Sequence, residues 1–313
     1  MIKYKVTRFY LKNSILTANK EYNYRDIVLF EDHDFNSNKI YAEFPLSDFT
    51  NDNILKKYLE KYKELKKRED LEALSFYINE IDNLKYQIIF DQLYLQLSGS
   101  NKQKILINGF ISFENLNDIE KKIIHYKANG VKIIKLKLGR KNFDDDIAII
   151  NFIKDLYPDV IFKFDVNGAW NSLNVAEKNI SKLLDFNFEY IEDPTNNIED
   201  LIYLNKIFEN KIAIDEFIRD YSNLLRILEN ENFSNIVIKP FFVGGMFVFK
   251  KIKNNFPDKK IIISSFFETN IGINYLMNIA SMFENSHGLG TINLYENEIL
   301  SNLYIKYGFL INY

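Results

Sequence analysis

The sequence predicts an α/β protein in which a TIM-like parallel barrel follows an N-terminal α+β unit. Three observations carry this. From about Lys104 onward, short apolar runs alternate with amphipathic helical patterns, and landmarks at 137, 165, 192, 215, 239 and 264 stand 23 to 28 residues apart. Such a step is one strand, one helix and two short loops. Each run ends on a polar or charged residue. No Gly-rich phosphate turn follows the first of them, the mark an open doubly wound sheet usually carries.

Taken in order, segments near residues 2–12, 24–32 and 38–46 are rich in Tyr, Val, Ile and Phe, as strands are. Charged helical patterns follow near 51–67, 69–80 and 82–97. Strands first and helices after define an α+β unit, residues 1–103. The barrel, residues 104–292, is built on "KILINGFIS", "VKIIKLKLG", "VIFKFDVNG", "FEYIEDP", "KIAIDE", "NIVIKP" and "KIIISSFFE", with an eighth strand near "HGLGT". Its helices carry ordinary end signals: Asn142 caps an acid-rich first turn with Pro158 beyond the far end, and Ser172 takes the capping position of the next helix. Residues 293–313 are expected to pack back on the N-terminal unit, and no low-complexity linker separates the parts.

Composition narrows the chemistry. There is no cysteine, and the three histidines, His33, His125 and His287, stand far apart. Thiolate nucleophiles and thiolate zinc sites are therefore excluded, and any metal must be held by carboxylates. The 40 basic and 43 acidic residues nearly balance, with lysines scattered rather than gathered into a stripe, so no nucleic-acid surface is expected. No apolar run approaches the roughly 20 residues of a membrane span, and the start lacks the apolar stretch of a secretory signal, so a cytoplasmic protein is expected. The abundance of Ile, Asn, Lys, Tyr and Phe is a compositional bias to which no function attaches.

The stretch "GVKIIKLKLG" places Lys135 and Lys137 two apart on a strand whose two faces are otherwise apolar. Side chains two apart point the same way, about 7 Å from one another, so counter-charges must come from elsewhere. They stand at the ends of the following runs: Asp165 with Asn167, Glu192 with Asp193, Asp215 with Glu216, then Lys239, then Ser264 and Ser265. A parallel barrel gathers these ends on one face. Any one of the acids alone reads equally well as a capping residue after its strand, but three in register with lysines between them do not. Asp165, Glu192 and Asp215 make an all-oxygen site suited to Mg²⁺ or Mn²⁺. A lysine becomes a base only when its pKa falls from about 10.4, through burial and like-charge neighbours. Lys163 should face the lumen as a supporting residue of an inner layer. Metal plus lysines imply proton abstraction alpha to the carboxylate of a small-molecule substrate.

The order "KLK", "DVN", "IEDP", "IDE", "IKP" resembles the enolase superfamily, specifically its muconate-lactonizing subgroup, whose pattern is Lys-x-Lys followed by Asp, Glu, Asp and Lys on successive strands. The resemblance covers about residues 104–292 and implies a (β/α)7β barrel with an N-terminal capping domain. "SSFFETNIG" and "HGLGT" are similar to the o-succinylbenzoate synthases of menaquinone biosynthesis. That implies syn dehydration of the cyclohexadiene SHCHC to 2-succinylbenzoate. Lys137 would be the base and then the acid, Lys135 would stabilise the enediolate and depress its neighbour's pKa, and Lys239 would make a cation–π contact with the ring. The resemblance further implies that the backbone around Ser264 and Ser265, with Gly290 nearby, binds the succinyl carboxylate. Asn167 and Glu216 would support the site, and "KNSILTANKEYNY" (Lys12 to Tyr24) would be a mobile loop closing over the substrate. Asp193 where Glu is frequent and Val166 where Ala is commoner depart from the pattern without touching this chemistry. Dipeptide epimerisation and N-acylamino acid racemisation are the alternatives within the superfamily; the absence of an acid from "HGLGTINLY" weighs against the first. A binding barrel without chemistry would lack one of these acids or bases, and none is missing. A monomer or small homo-oligomer is expected.

Overall fold

The structure, a computed structural model, describes residues 2–16, 21–49, 53–99, 103–230, 232–300 and 302–312. The chain opens with an antiparallel sheet, β1 (Lys3–Leu16), β2 (Glu21–His33) and β3 (Lys39–Pro45), followed by α1 (Asn53–Lys67), α2 (Leu71–Asn79) and α3 (Leu84–Leu97). Helix ends follow their caps: Asp70 accepts the N–H of Ala73, and Asn83 those of Lys85 and Tyr86. Strand pairing enters the segment Lys12–Tyr24 from both sides. Its described residues are the inner ends of β1 and β2, paired as Ile15 with Tyr22 and Leu16 with Glu21 after a register shift beyond Tyr10; residues 17–20 lie outside the described residues.

"KILINGFIS" is one run in sequence but two strands in space. β4 (Lys104–Leu106) pairs with β13 (Phe309–Asn312), which pairs with β12 (Leu303–Lys306). The chain then turns and enters the barrel as β5 (Gly109–Ile111). A Cβ at Gly109 would come within 2.7 Å of the Tyr126 ring and 2.8 Å of Ile134, so only glycine lets the strand lie that close.

Six strand–helix steps follow. They are α4 (Leu116–Ala128), β6 (Ile133–Lys137), α5 (Phe143–Leu156), β7 (Ile161–Asp165), α6 (Leu173–Leu183), β8 (Phe188–Glu192), α7 (Ile198–Ile207), β9 (Ile212–Ile214), α8 (Tyr221–Glu229), β10 (Asn235–Ile238), α9 (Pro240–Val243), α10 (Met246–Asn255), β11 (Lys260–Ile263) and α11 (Asn270–Ala280). Asn142 caps α5 and Ser172 caps α6, accepting the N–H groups of Asp144 and Val175. β5 to β11 form one parallel sheet in sequence order. The eighth position is no regular strand. Parallel bridges from Ile107 to His287 and from Ser264 to Gly288 close the ring there. His287, 1% exposed, accepts the Ile263 N–H at Nδ1 and lies 3.2 Å from the Phe283 carbonyl through Nε2, so it joins the closing segment to β11. Burial lowers its pKa to about 4, which keeps the imidazole neutral.

α11 is buried along its whole length and touches both β11 and the β3 and α3 elements of the N-terminal unit. Asp91 of α3 adds a polar tie to the barrel, accepting the Met246 N–H at 2.8 Å and the Tyr275 hydroxyl at 3.1 Å. Residues 294–296 reach β1, with Lys12 N–H on Leu294 O at 2.9 Å and Glu296 N–H on Tyr10 O at 3.0 Å, whereas β12 and β13 stay with β4.

Candidate active site

Parallel register puts the polar strand ends side by side. Lys137 is level with Asp165 and Asp165 with Glu192, while Lys135 is level with Lys163 one pleat lower. Asp215 and Lys239 directly follow β9 and β10. Lys135, Lys137, Asp165, Asn167, Asp215, Glu216, Lys239, Ser264, Ser265 and Gly290 all line one cavity of about 1090 Å³, with Glu192 fully buried beside it.

Each lysine meets a carboxylate. Lys137 Nζ lies 2.8 Å from Asp165 Oδ2 and donates to Asn167 Oδ1. Lys135 Nζ lies 2.8 Å from the same Asp165 oxygen and donates to both Glu192 oxygens, at 2.7 and 2.8 Å. Lys239 Nζ donates to Asp215 Oδ2 at 2.5 Å. Asn167, at φ +49°, also donates to Glu216 Oε1 at 3.3 Å. Asp193, at φ +42°, turns back to accept the N–H groups of Asp215 at 3.1 Å and Glu216 at 2.7 Å, so its carboxylate holds the turn that presents Asp215.

These contacts set the charge of Lys135. Burial opposes the charge on Lys135, but Asp165 and Glu192 outweigh it and hold its pKa well above the ordinary lysine value. Burial likewise opposes ionisation of Asp165 and Asp215, yet Lys135 and Lys137 hold the first below the usual carboxylate range, and Lys239 and Lys135 the second. Glu192 goes the other way: burial and repulsion from Asp165 push it up in spite of Lys135.

Among the described residues, no three acidic or histidine side chains converge as they stand on a position for a metal ion. The Lys135 ammonium bridges Asp165 and Glu192 instead. The donor set still fits a hard divalent cation in type and position. Three carboxylates stand at adjacent strand ends, they repel one another, and Asp165 Oδ1 is buried without a hydrogen-bond partner.

Lys163 is fully buried, donating to the Ser286 carbonyl at 2.8 Å and the Ser286 hydroxyl at 2.5 Å, and so ties β7 to the closing segment across the lumen. Burial lowers its pKa to about 8. The backbone of Ser264 and Ser265 is not free for a ligand: their N–H groups donate to Ile238 O at 2.9 Å and Gly288 O at 3.1 Å. Pairing with β10 takes the first donor and barrel closure the second. The Ser265 hydroxyl meets that of Thr291 at 2.6 Å. Several cavity residues were not singled out from the sequence, among them Tyr22, Asn108, Phe113, Arg140, Arg219 and Phe266. Arg140 directly follows the "KLKLG" strand end and was within reach of the same reasoning, and Tyr22 lies in the segment Lys12–Tyr24 that was expected to close over the substrate.

Residues 119–285 match the family described as "Enolase C-terminal domain-like", which is more than half of the chain. The chain belongs to the enolase superfamily. All three lysines and all three carboxylates fall inside the matched span. Among solved structures of the superfamily, the fold resembles a dipeptide epimerase from Enterococcus faecalis complexed with Mg and the dipeptide L-Leu-L-Tyr. The TM-score is 0.74 at 18% identity, covering 99% of this chain and 96% of that one. It also resembles the muconate lactonizing enzyme from Pseudomonas putida, with TM-score 0.73 at 14% identity over 99% of this chain and 93% of that one. Curated relatives include the o-succinylbenzoate synthase of Mycolicibacterium smegmatis, 28% identical over 175 residues, 54% of each chain. The synthase of Thermobifida fusca is 28% identical over 149 residues, 47% of this chain and 46% of that protein. The chain thus matches about half the length of these curated relatives. No helix among the described residues is long and apolar enough to cross a membrane.

Proposed function

We propose that this enolase-superfamily chain is an o-succinylbenzoate synthase, a hydro-lyase that removes water from SHCHC to give 2-succinylbenzoate in menaquinone biosynthesis. The observation that carries the reading is the constellation of Lys135, Lys137, Asp165, Glu192, Asp215 and Lys239 at adjacent strand ends, in a segment whose curated relatives are synthases of that name.

In this reading Asp165, Glu192 and Asp215 hold a divalent cation, Mg²⁺ or Mn²⁺. When bound it supplies a positive centre for the substrate carboxylate, and it disfavours further positive charge in a cavity where three lysines already balance three carboxylates. Lys137, at the cavity surface beside Asn167, takes the proton alpha to that carboxylate. Lys135, held protonated from below, places its ammonium against the enediolate charge. As the carbon–oxygen bond breaks, Lys137 returns its proton to the departing hydroxide, which leaves as water from the same face. Lys239 stands across the barrel mouth, four strands around the ring from Lys137, where its ammonium faces the ring of the substrate. The cavity aromatics Tyr22, Phe113 and Phe266 exclude water around it.

Superfamily neighbours that are epimerases support a second reading, racemisation of an N-acylamino acid or epimerisation of a dipeptide, with Lys137 and Lys239 working on opposite faces of one carbon. One experiment separates them. Purified protein is given SHCHC and Mg²⁺, and loss of the diene absorbance is followed with EDTA and Lys137→Ala controls. The synthase reading expects metal-dependent turnover that falls by about 10²- to 10⁴-fold in the variant. Absent turnover by a folded wild type, together with α-deuterium exchange into N-acylamino acids in heavy water, would sink it in favour of racemisation.

A further inference from the structure

We propose that Arg140 is the cavity's recognition site for a second substrate carboxylate, the one at the end of the succinyl chain, with Asp146 as its positioning residue. The inference rests on the synthase reading. The backbone donors of Ser264, Ser265 and Phe266 are committed, to Ile238 O at 2.9 Å, Gly288 O at 3.1 Å and Glu268 Oε2 at 2.7 Å. A dianionic substrate therefore needs another cation. The lysines at the cavity floor are paired with the acids of the site, and Arg219, half exposed, is paired with Glu216.

Arg140 is differently placed. It lines the cavity from the turn that ends β6, and its side chain is 18% exposed. One of its five N–H donors, on Nη1, reaches Asp146 Oδ1 at 2.7 Å, and among the described residues that is its hydrogen-bonded side-chain partner. The guanidinium carbon lies over the Phe113 ring, 5.0 Å from its centroid, so the ring supports the group from one side. The remaining donors are available to a carboxylate in the cavity. Asp146 does not cancel this charge outright. It is fully buried in the first turn of α5, where the helix dipole favours an anion, and its Oδ2 accepts the N–H groups of Gly139 at 2.9 Å and Arg140 at 3.1 Å. One carboxylate thus shapes the turn and aims the fork. A planar guanidinium pairs with a carboxylate through two parallel hydrogen bonds, geometry a lysine cannot supply.

The test is equilibrium binding, measured by calorimetry with Mg²⁺ present, of 2-succinylbenzoate and of 2-propanoylbenzoate, which lacks only the terminal carboxylate. Wild type is expected to prefer the dicarboxylate by roughly 10- to 100-fold. Arg140→Gln should bring that preference to about 2-fold while leaving affinity for the monocarboxylate unchanged, and Arg140→Lys should keep part of it. Asp146→Asn should reduce the preference without weakening the monocarboxylate, a split that general loosening of the fold would not produce. A preference retained in Arg140→Gln, or an equal loss for both ligands, overturns the inference while leaving SHCHC turnover, and with it the synthase reading, intact. A folded wild type that binds neither ligand and does not turn over SHCHC removes both together.

Discussion

Replacing Glu43 by Gln probes the charge state of the seam between the N-terminal sheet and the barrel. Glu43 is 2% exposed on β3. Its Oε1 accepts the Thr269 N–H at 3.1 Å, its Oε2 meets the Thr269 hydroxyl, and its own backbone is held by Gln92 of α3 at 3.1 and 2.9 Å. Burial pushes the carboxyl up from 4.5 to about 8, against the opposing pull of Thr269 and Arg25. A carboxyl raised in this way binds a proton in the folded protein that the unfolded chain has released. Its contribution is fully present below pH 4.5 and is lost as pH rises through about 8. At about 1.4 kcal/mol per pH unit the whole displacement is on the order of 5 kcal/mol, and relaxation around the buried charge reduces the expected loss to about 2–3 kcal/mol. Gln keeps an acceptor and a donor for Thr269 but cannot ionise. Urea unfolding of wild type and Glu43→Gln at pH 5 and pH 8.5 reads the difference directly, because other titrating groups are common to both proteins. Wild type should lose about 2–3 kcal/mol more than the variant over that span. Parallel pH dependence in the two proteins would refute the assignment of a protonated Glu43.

Two further substitutions test how the strand ends are held. Asp193→Ala leaves the N–H groups of Asp215 and Glu216 without their acceptor. It should cost about 1–3 kcal/mol of stability, read as a lower thermal midpoint, and reduce turnover with it, while Asp193→Asn, which retains an oxygen, should cost less. Unchanged melting in Asp193→Ala would remove Asp193 from this role. Gly139 adopts φ +105°, and a Cβ there would approach that of Ala169 to 2.6 Å. Gly139→Ala should cost about 1–3 kcal/mol and displace the turn carrying Lys137 and Arg140. Gly99→Ala, at φ +68° but with open space around it, is the matched control and should melt closer to wild type.

Much of the architecture was legible because it follows from local chain geometry. The 23- to 28-residue step is set by the length of a strand, a helix and their loops, and Asn142 and Ser172 cap their helices as their positions imply. The limits are equally specific. "KILINGFIS" hides a break, because the partner of β4 is a hairpin some two hundred residues later. The segment Lys12–Tyr24 was expected from the resemblance to be a loop, and strand pairing runs through its described ends. Lys135 was expected to stabilise an enediolate beside the base Lys137, and which carboxylates hold it protonated, Asp165 and Glu192, was not legible. Sequence spacing places like charges together but does not say which opposite charge arrives first.

The sequence by itself determined which chemistry this protein can hold: no thiol, no histidine cluster, and lysines and carboxylates delivered in order to the ends of successive strands. Alternation along a strand and repetition along the chain are short-range rules, so one chain suffices to read them. Tertiary structure alone decided how those groups are used. Cross-strand register gave Asp165 to two lysines, and strand pairing and barrel closure took the backbone donors of Ser264 and Ser265. These outcomes depend on contacts between residues far apart in sequence, whose energies are set by distance and burial.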